Sequence, residues 1–269
     1  MIRVPAVAGR FYPADARELT QQVEKFVSVS APPEKVRGRG CVVPHAGYQY
    51  SGHVAGAVYS KLQLPGRYVI LCPRHYPQGE PLAILSDGAW RTPLGEARVD
   101  SELAAELKRA CRLLREDSVA HRAEHSLEVQ LPFLQCLVGD FRFVPIALGT
   151  DRFASFEELG RAIAEVVAAR SEAILVVASS DMNHYESDEV TRIKDRKAID
   201  KILELDPRGL YDTVRRGGIT MCGYGPAVTM LVAAKGLGAT RAELVRYATS
   251  GDVTGDREEV VGYAGIVVH

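Results

Sequence analysis

The feature that most constrains this fold is the alternation of short, continuously apolar runs with amphipathic segments of helical period. The apolar runs are rich in Val, Ile and Leu, which is typical of strands buried on both faces of a sheet. A sheet of this kind is largely parallel at its centre and flanked by helices, so the sequence predicts an α/β fold. The runs are Cys41–Val43, Tyr68–Leu71, Leu82–Leu85, Phe143–Leu148, Ala173–Ala178, Leu244–Ala248 and Ala264–Val268.

Helix-start signals precede the amphipathic segments. Capping residues followed by apolar residues at helical spacing predict three helices, which begin near Asp15 with Glu18, near Asp100, and near Ser155 with Glu158. Further helices are expected over about residues 54–62, 188–205 and 225–235, and a helix is expected to start or kink at Pro132.

No repeat or low-complexity block divides the chain. The Pro- and Gly-rich segment Ser30–Gly40 is typical of a loop between early elements rather than of a domain boundary. We therefore expect a single domain spanning residues 1–269, a length that one large α/β domain accommodates.

The charge and hydropathy of the chain exclude several classes of protein. It has 33 basic and 34 acidic residues and a net charge of -1, which argues against nucleic acid as the main partner. Its apolar runs are far shorter than the roughly 20 residues of a membrane span. The N-terminus lacks the pattern of a signal peptide, so we expect a cytoplasmic protein.

Histidines follow three of the predicted strands at the point where each strand ends. His45 follows the first buried run, His75 follows the second, and Asp181 with His184 follows the fifth. Ligands in open α/β sheets bind outside the carboxyl ends of the strands. A single histidine there is more commonly a turn or core residue with satisfied hydrogen bonds, but three at equivalent positions indicate a functional site.

Cys222 lies in a glycine-rich turn before a predicted apolar helix. The positive end of the helix macrodipole is expected to lower the pKa of its thiol and to favour the thiolate that a metal or an electrophile requires. The alternative is a buried, inert thiol. The five cysteines contain no CxxC pair, and the remaining four are expected to be structural: Cys41, Cys72, Cys111 and Cys136.

A further candidate is His125, in the segment Glu124–Glu128. It is a candidate acid or base that Glu128 would orient, and the alternative is a helix-cap cluster without chemistry. Two histidines and a third ligand from different strand ends are typical of a three-ligand metal site with open positions. A carboxylate as third ligand suits non-haem Fe(II), whereas a cysteine favours copper or zinc and still allows iron.

Eight ordered segments carry a family resemblance. They are Pro5–Pro13, Pro44–Gly52, Thr92–Gly95, Glu124–Glu128, Ser179–Asp181 with His184, Met221–Gly223, Thr249–Asp252 and Val261–Tyr263. Through them the chain resembles, nearly end to end, the Memo family, also called the B component of the AmmeMemoRadiSam system.

The resemblance implies a fold similar to that of the class III extradiol, non-haem iron dioxygenases. It implies metal ligands at His45, His75 and Cys222, with Asp181 and His184 beside them. It also implies an iron or copper ion, redox chemistry, and association with a radical-SAM protein and an AMMECR-type protein. The dioxygenases have a carboxylate in place of the cysteine, so ring cleavage does not follow from the resemblance.

One departure from the family pattern bears on the site. The family usually has Ser or Asn directly before the second histidine, and this chain has Arg74. A cation there opposes metal binding unless it points away or meets an anionic substrate.

Two functions from different classes remain open at this point. The first is a metal-dependent redox enzyme in which His45, His75 and Cys222 hold the ion, while His184 acts as acid or base and Asp181 orients His184 or contributes a ligand. The second is a non-enzymatic binding or scaffold protein that recognises a peptide, a small molecule or a partner enzyme through the same cleft. Hydrolysis at a zinc-bound water is a third option.

Overall fold

A computed structural model describes residues 1–28 and 34–269. The strands are β1 (Ile2–Arg3), β2 (Gly40–Val43), β3 (Arg67–Pro73), β4 (Leu82–Ile84), β5 (Ala89–Thr92), β6 (Gly95–Val99), β7 (Arg115–Glu116), β8 (Arg142–Leu148), β9 (Ile174–Ser179), β10 (His184–Glu186), β11 (Ala242–Thr249) and β12 (Val260–Val268). The helices are α1 (Ala16–Ser28), α2 (Tyr48–Lys61), α3 (Ser101–Ala110), α4 (Val119–Arg122), α5 (His125–Glu128), α6 (Leu131–Leu137), α7 (Phe153–Ala168), α8 (Asp188–Leu203), α9 (Pro207–Arg216), α10 (Tyr224–Gly236) and α11 (Gly251–Thr254). The predicted loop Ser30–Gly40 lies partly outside the described residues.

The strands form one mixed sheet with a parallel centre. Its order is β1-β5-β6-β8-β3-β9-β2-β12-β10, and β11 and β4 pair with β12 and β8 respectively. The pairs from β6 through β8, β3 and β9 to β2 are all parallel, whereas β12 runs antiparallel to β2. The predicted α/β fold with a largely parallel centre is therefore confirmed. The extent of the domain, residues 1–269, stays a prediction.

Helices cover both faces of the sheet, and alternate residues of each central strand therefore enter different cores. Val69 and Leu71 pack with α3, α7 and α10, whereas Tyr68, Ile70 and Cys72 of the same strand pack with α1, α2 and α6. Burial of each large apolar side chain contributes about 1.5–3 kcal/mol. Two-sided burial explains why the strands appear in the sequence as continuous apolar runs.

The helix-start predictions are mostly confirmed. Asp15 Oδ1 accepts a hydrogen bond from Glu18 N at 2.9 Å, and Asp100 accepts one from Leu103 N at the start of α3. Pro132 lies in the first turn of α6.

The helix predicted to begin near Ser155 is present, but the prediction that Ser155 and Glu158 cap its start is wrong. Helix α7 begins at Phe153, with Arg152 as its N-cap residue. Four residues separate the end of β8 at Leu148 from the start of α7 at Phe153, and Ser155 already lies within the first turn of this helix.

Three of the four cysteines expected to be structural, Cys41, Cys72 and Cys111, are fully buried, and Cys136 is half-buried. Cys72 lies in the core beside α1, α2 and α6, so its proximity to His75 in sequence does not expose its thiol. Within the described part of the chain, no helix combines the length and the apolar character needed to cross a membrane.

Candidate metal centre

Neighbouring parallel strands bring the predicted site residues to one edge of the sheet. Strands β3, β9 and β2 are adjacent and parallel, so their carboxyl ends share an edge. His75 follows β3, His45 follows β2, and Asp181 and His184 follow β9. The topology therefore converges the groups that the sequence places after separate strands.

Three imidazoles form the centre of the site. One ring nitrogen from each of His45, His75 and His125 lies within 4.8 Å of the others. The ring centroids are 5.3 Å apart for His45 and His75 and 4.7 Å apart for His75 and His125. The sequence predicted His125 as an acid or base, and the structure groups its ring nitrogen with those of His45 and His75, an arrangement that could hold a metal ion.

Cys222 joins this cluster from the loop before α10. Its Sγ is 3.2 Å from His45 Nε2. The loop approaches β9 closely, because Gly223 N donates to Ser180 Oγ at 3.0 Å and a Cβ on Gly223 would lie only 2.6 Å from that oxygen. Glycine at this position therefore sets the placement of Cys222.

The expected lowering of the Cys222 pKa is wrong. Burial, reinforced by the charge of Asp181, raises the pKa of this thiol above its usual value. The cost of desolvating a thiolate exceeds the benefit of the helix terminus. Without a metal ion, the thiol is protonated and donates to His45 Nε2.

Hydrogen bonds set the tautomer of His45. Ser179 Oγ donates its single proton to Ser126 O at 2.6 Å and accepts from Gln130 Nε2 at 2.9 Å. The 3.0 Å bond between Ser179 Oγ and His45 Nδ1 therefore has Nδ1 as the donor. Burial, with the charges of the neighbouring histidines, lowers the pKa of His45, so its ring is neutral with a lone pair on Nε2.

Glu124 holds His75. Its carboxylate accepts from His75 N at 2.7 Å and from His75 Nδ1 at 2.9 Å, which again leaves Nε2 for a ligand. Burial acts to lower the pKa of His75, but the hydrogen bond and charge of Glu124 outweigh it and the net shift is upward. Burial acts to raise the pKa of Glu124, yet the bonds from His75 and Ser126 lower it to about 2.

Thr220 holds His184. The Nδ1 of His184 donates to Thr220 O at 3.0 Å, and its backbone N donates to Thr220 Oγ1 at 2.7 Å. Asp181, expected to orient His184, instead accepts from the backbone N of His45 at 2.7 Å. Nothing in the sequence indicates Thr220, because its role depends on contact between β10 and the loop before α10, which meet only in the folded chain.

Two of the predicted catalytic groups have strongly shifted pKa values. Burial raises the pKa of the Asp181 carboxyl to about 7, which suits a group that exchanges protons near neutrality. Burial lowers the pKa of His125 to about 4, so this imidazole is neutral at pH 7. The pKa of His184 is also lowered, chiefly by burial.

A cleft of about 640 Å³ opens over these groups. Aromatic side chains line it, among them Phe11, Tyr50 and Tyr263. Tyr185 lies at the edge of the cleft and is 74% exposed. Its φ is 59°, a backbone conformation that residues other than glycine rarely adopt. An organic molecule therefore has both a polar centre and an apolar wall to contact.

Glu128 does not orient His125 as the sequence suggested. Its buried carboxylate pairs with Arg3 Nη1 at 2.6 Å, and it also accepts from Tyr12 Oη at 2.6 Å and Ala6 N at 2.8 Å. These bonds anchor the N-terminal segment behind the site. That segment in turn places Phe11 against the ring of His125, with 4.8 Å between the centroids.

Arg74 turns away from the histidine cluster. Its Nη1 donates to Gly79 O and, at 3.2 Å, to Glu80 O. Its guanidinium packs against Gly149, where any Cβ would collide with it. The cation therefore lies outside the centre of the cluster, and the greater separation weakens its repulsion of a metal ion bound there.

The donor set fits a transition-metal ion. His45 presents a neutral Nε2, and His75 presents its Nε2 once that nitrogen has lost its proton. Each ring has its Nδ1 proton fixed by a hydrogen-bond acceptor, as is usual for metal-bound histidines. His125 adds a third imidazole and Cys222 a thiol. A mixture of imidazole and thiol donors favours zinc, copper or iron over magnesium or calcium.

Comparisons with known proteins agree with the resemblance seen in the sequence. A family model described as Memo-like protein matches residues 3–267. The MEMO1 family protein MK0963 of Methanopyrus kandleri is 46% identical over 99% of both chains. The MEMO1 family protein MTH_45 of Methanothermobacter thermautotrophicus is 41% identical over 98% of this chain and 99% of its own length.

A solved structure shares the fold. The uncharacterized protein JW3007 from Escherichia coli K12 superposes with a TM-score of 0.56 over 86% of this chain and 100% of its own. The two sequences are 13% identical, so this likeness concerns the fold alone.

Proposed function

The chain belongs to the Memo family, and from this premise we propose that it binds a redox-active metal ion, iron or copper, through His45, His75 and Cys222. The observation that carries the proposal is the approach of three imidazole nitrogens within 4.8 Å, with the Cys222 Sγ 3.2 Å from one of those rings. A bound ion of this kind would supply Lewis-acid and one-electron chemistry to a small molecule in the cleft. The reaction we propose is therefore a metal-dependent oxidation or reduction.

The surrounding residues have separate roles in this proposal. Glu124 and Ser179 fix the imidazoles of His75 and His45 so that each Nε2 faces the ion. Asp181, whose pKa is about 7, takes up and releases protons at its carboxylate beside the centre. His184, held by Thr220, is the second acid or base. Cys222 must lose its proton to act as a ligand, so metal affinity rises with pH.

Metal content tests the ligand set. Protein purified without chelators from cells supplied with iron and copper is measured by mass spectrometry, alongside a variant that carries both His45→Ala and Cys222→Ala. We expect the variant to lose the ion, and a Cys136→Ala control to retain it. Equal metal content in wild type and the double variant would show that the proposed site is wrong.

A second measurement decides which group is the third ligand. A cobalt-loaded protein is expected to show a thiolate charge-transfer band that disappears in Cys222→Ser and persists in His125→Ala. If instead Cys222→Ser keeps its cobalt and His125→Ala loses it, the third position is assigned to His125, and Cys222 is only a neighbour of the centre.

Association with a radical-SAM protein and an AMMECR-type protein remains a prediction of the sequence. A pull-down of each purified partner by this protein tests it, with a cleft variant such as Tyr185→Ala included to locate the contact. Failure to capture either partner, together with turnover of a small molecule, would exclude a scaffold function.

A further inference from the structure

A second cleft, of about 620 Å³, adjoins the candidate metal centre. Residues from the end of β3 and from the β8–α7 loop form its walls. His75 and Cys222 line this cleft as well as the first one. A molecule bound in the second cleft therefore lies beside the same two groups as a molecule bound in the first.

The walls of this second cleft carry an excess of positive charge. Arg74 and Arg152 both line it, and within residues 1–28 and 34–269 neither forms an ion pair with a carboxylate. The lining carboxylate, Asp151, is 2.7 Å from Arg215 Nη1, so its charge is compensated. Arg152 is also the N-cap residue of α7 and caps the helix with no side-chain bond, which leaves the positive helix terminus beside it.

The backbone around Arg74 is built to hold this side chain in the wall. Gly79 O and Glu80 O accept from Nη1, and the absence of a Cβ at Gly149 makes room for the guanidinium. The guanidinium is thus fixed in position at the wall of the cleft. Its charge has no carboxylate partner among the described residues, which favours an anionic ligand.

We propose that the second cleft binds the anionic end of a small molecule, a carboxylate or a phosphate, through Arg74 and Arg152, and directs the rest of that molecule towards His75 and Cys222. The anion contact stands on the arginines alone. The direction towards the metal centre rests on the proposed function. The substrates of this class are small organic anions, held at one end by charge and presented at the other end to the centre.

Nuclear magnetic resonance titration of the metal-free protein tests the anion contact. Inorganic phosphate and succinate are the two probes, and the backbone signals of residues 149–152 are followed. We expect one probe to shift these signals, which identifies phosphate or carboxylate as the preferred group. We expect Arg74→Ser with Arg152→Ser to raise the dissociation constant at least about tenfold, and added salt to weaken binding.

The controls separate this inference from the proposed function. Arg161→Ser, an exposed change on α7, should leave the dissociation constant unchanged, and Arg152→Ser alone should weaken binding without unfolding the protein. Absence of any shift at residues 149–152, or an unchanged constant in the double variant, would overturn the inference. Metal content is measured separately, so loss of the metal proposal would leave the anion titration readable.

Discussion

Glu124 shows how a single buried carboxylate prepares a ligand before any ion is bound. It is fully buried and directs both of its oxygens to His75, one to the backbone and one to the ring. The other ring nitrogen, Nε2, is thereby directed towards the cluster. In the folded protein the ion pair between Glu124 and His75 is maintained down to the pKa of Glu124, which is lowered to about 2.

Replacement of Glu124 by Gln tests this role. The amide keeps the shape but loses the charge, so we expect the raised pKa of His75 to fall and metal affinity to drop about 10–100-fold. The imidazole is titrated by nuclear magnetic resonance and the metal dissociation constant is measured by competition. Glu157→Gln, an exposed change on α7, is the matched control. An unchanged His75 pKa in Glu124→Gln would contradict the assignment.

At the scale of elements, the close packing of the α10 loop on the end of β9 determines where Cys222 lies. Gly223 has an ordinary φ of −97°, so glycine is required there for space rather than for backbone conformation. A methyl group at this position meets Ser180 and the backbone of Ser179. The loop must then move outward and carry Cys222 with it.

We therefore expect Gly223→Ala to lower the free energy of unfolding by about 1–3 kcal/mol and to weaken metal binding. Gly66→Ala is the control, because a Cβ at Gly66 meets no atom within 4 Å, and its effect should stay within about 0.5 kcal/mol. Denaturant unfolding and metal competition are measured on both variants. Normal metal affinity in Gly223→Ala would show that the loop position does not control the centre.

The same elements show how far the sequence alone determines the site. Continuous apolar runs, which are typical of strands buried on both faces, predicted the parallel centre of the sheet. The carboxyl ends of these parallel strands bring His45, His75 and His184 to one edge. Hydrophobic period and strand direction are local properties, so the sequence carries them. The partners that orient these rings could not be predicted, because Thr220, in the loop before α10, and Ser179, at the end of β9, meet their histidines only after the chain folds.

Electrostatic predictions were less secure than topological ones, and for a physical reason. The helix terminus near Cys222 was visible in the sequence, whereas the depth of burial that raises its pKa was not. Likewise, Arg74 is next to His75 in the chain, yet contacts with Gly79 and Glu80 draw its side chain elsewhere. Local sequence identifies charged groups, but solvent exposure and tertiary contacts decide what they do.

At the scale of the whole molecule, the buried carboxyl of Asp195 links helix α8 to the sheet. It accepts hydrogen bonds from Tyr247 Oη at 2.7 Å and from Asn183 N at 2.8 Å, and Asn183 leads directly to His184. Burial raises its pKa to about 7, from 3.8 in an exposed setting. The folded state consequently retains a proton that the unfolded state releases at much lower pH.

The sign of the resulting pH dependence follows from this difference. Between about pH 4 and pH 7 the folded state binds one proton more at Asp195, so stability decreases as pH rises through this range. Asp195→Asn keeps the shape and removes the titration. We expect the free energy of unfolding of the wild type to fall, relative to this variant, by about 1.4 kcal/mol per pH unit within the window. Denaturant unfolding at a series of pH values measures both proteins, and parallel curves for the two would contradict a proton held at Asp195.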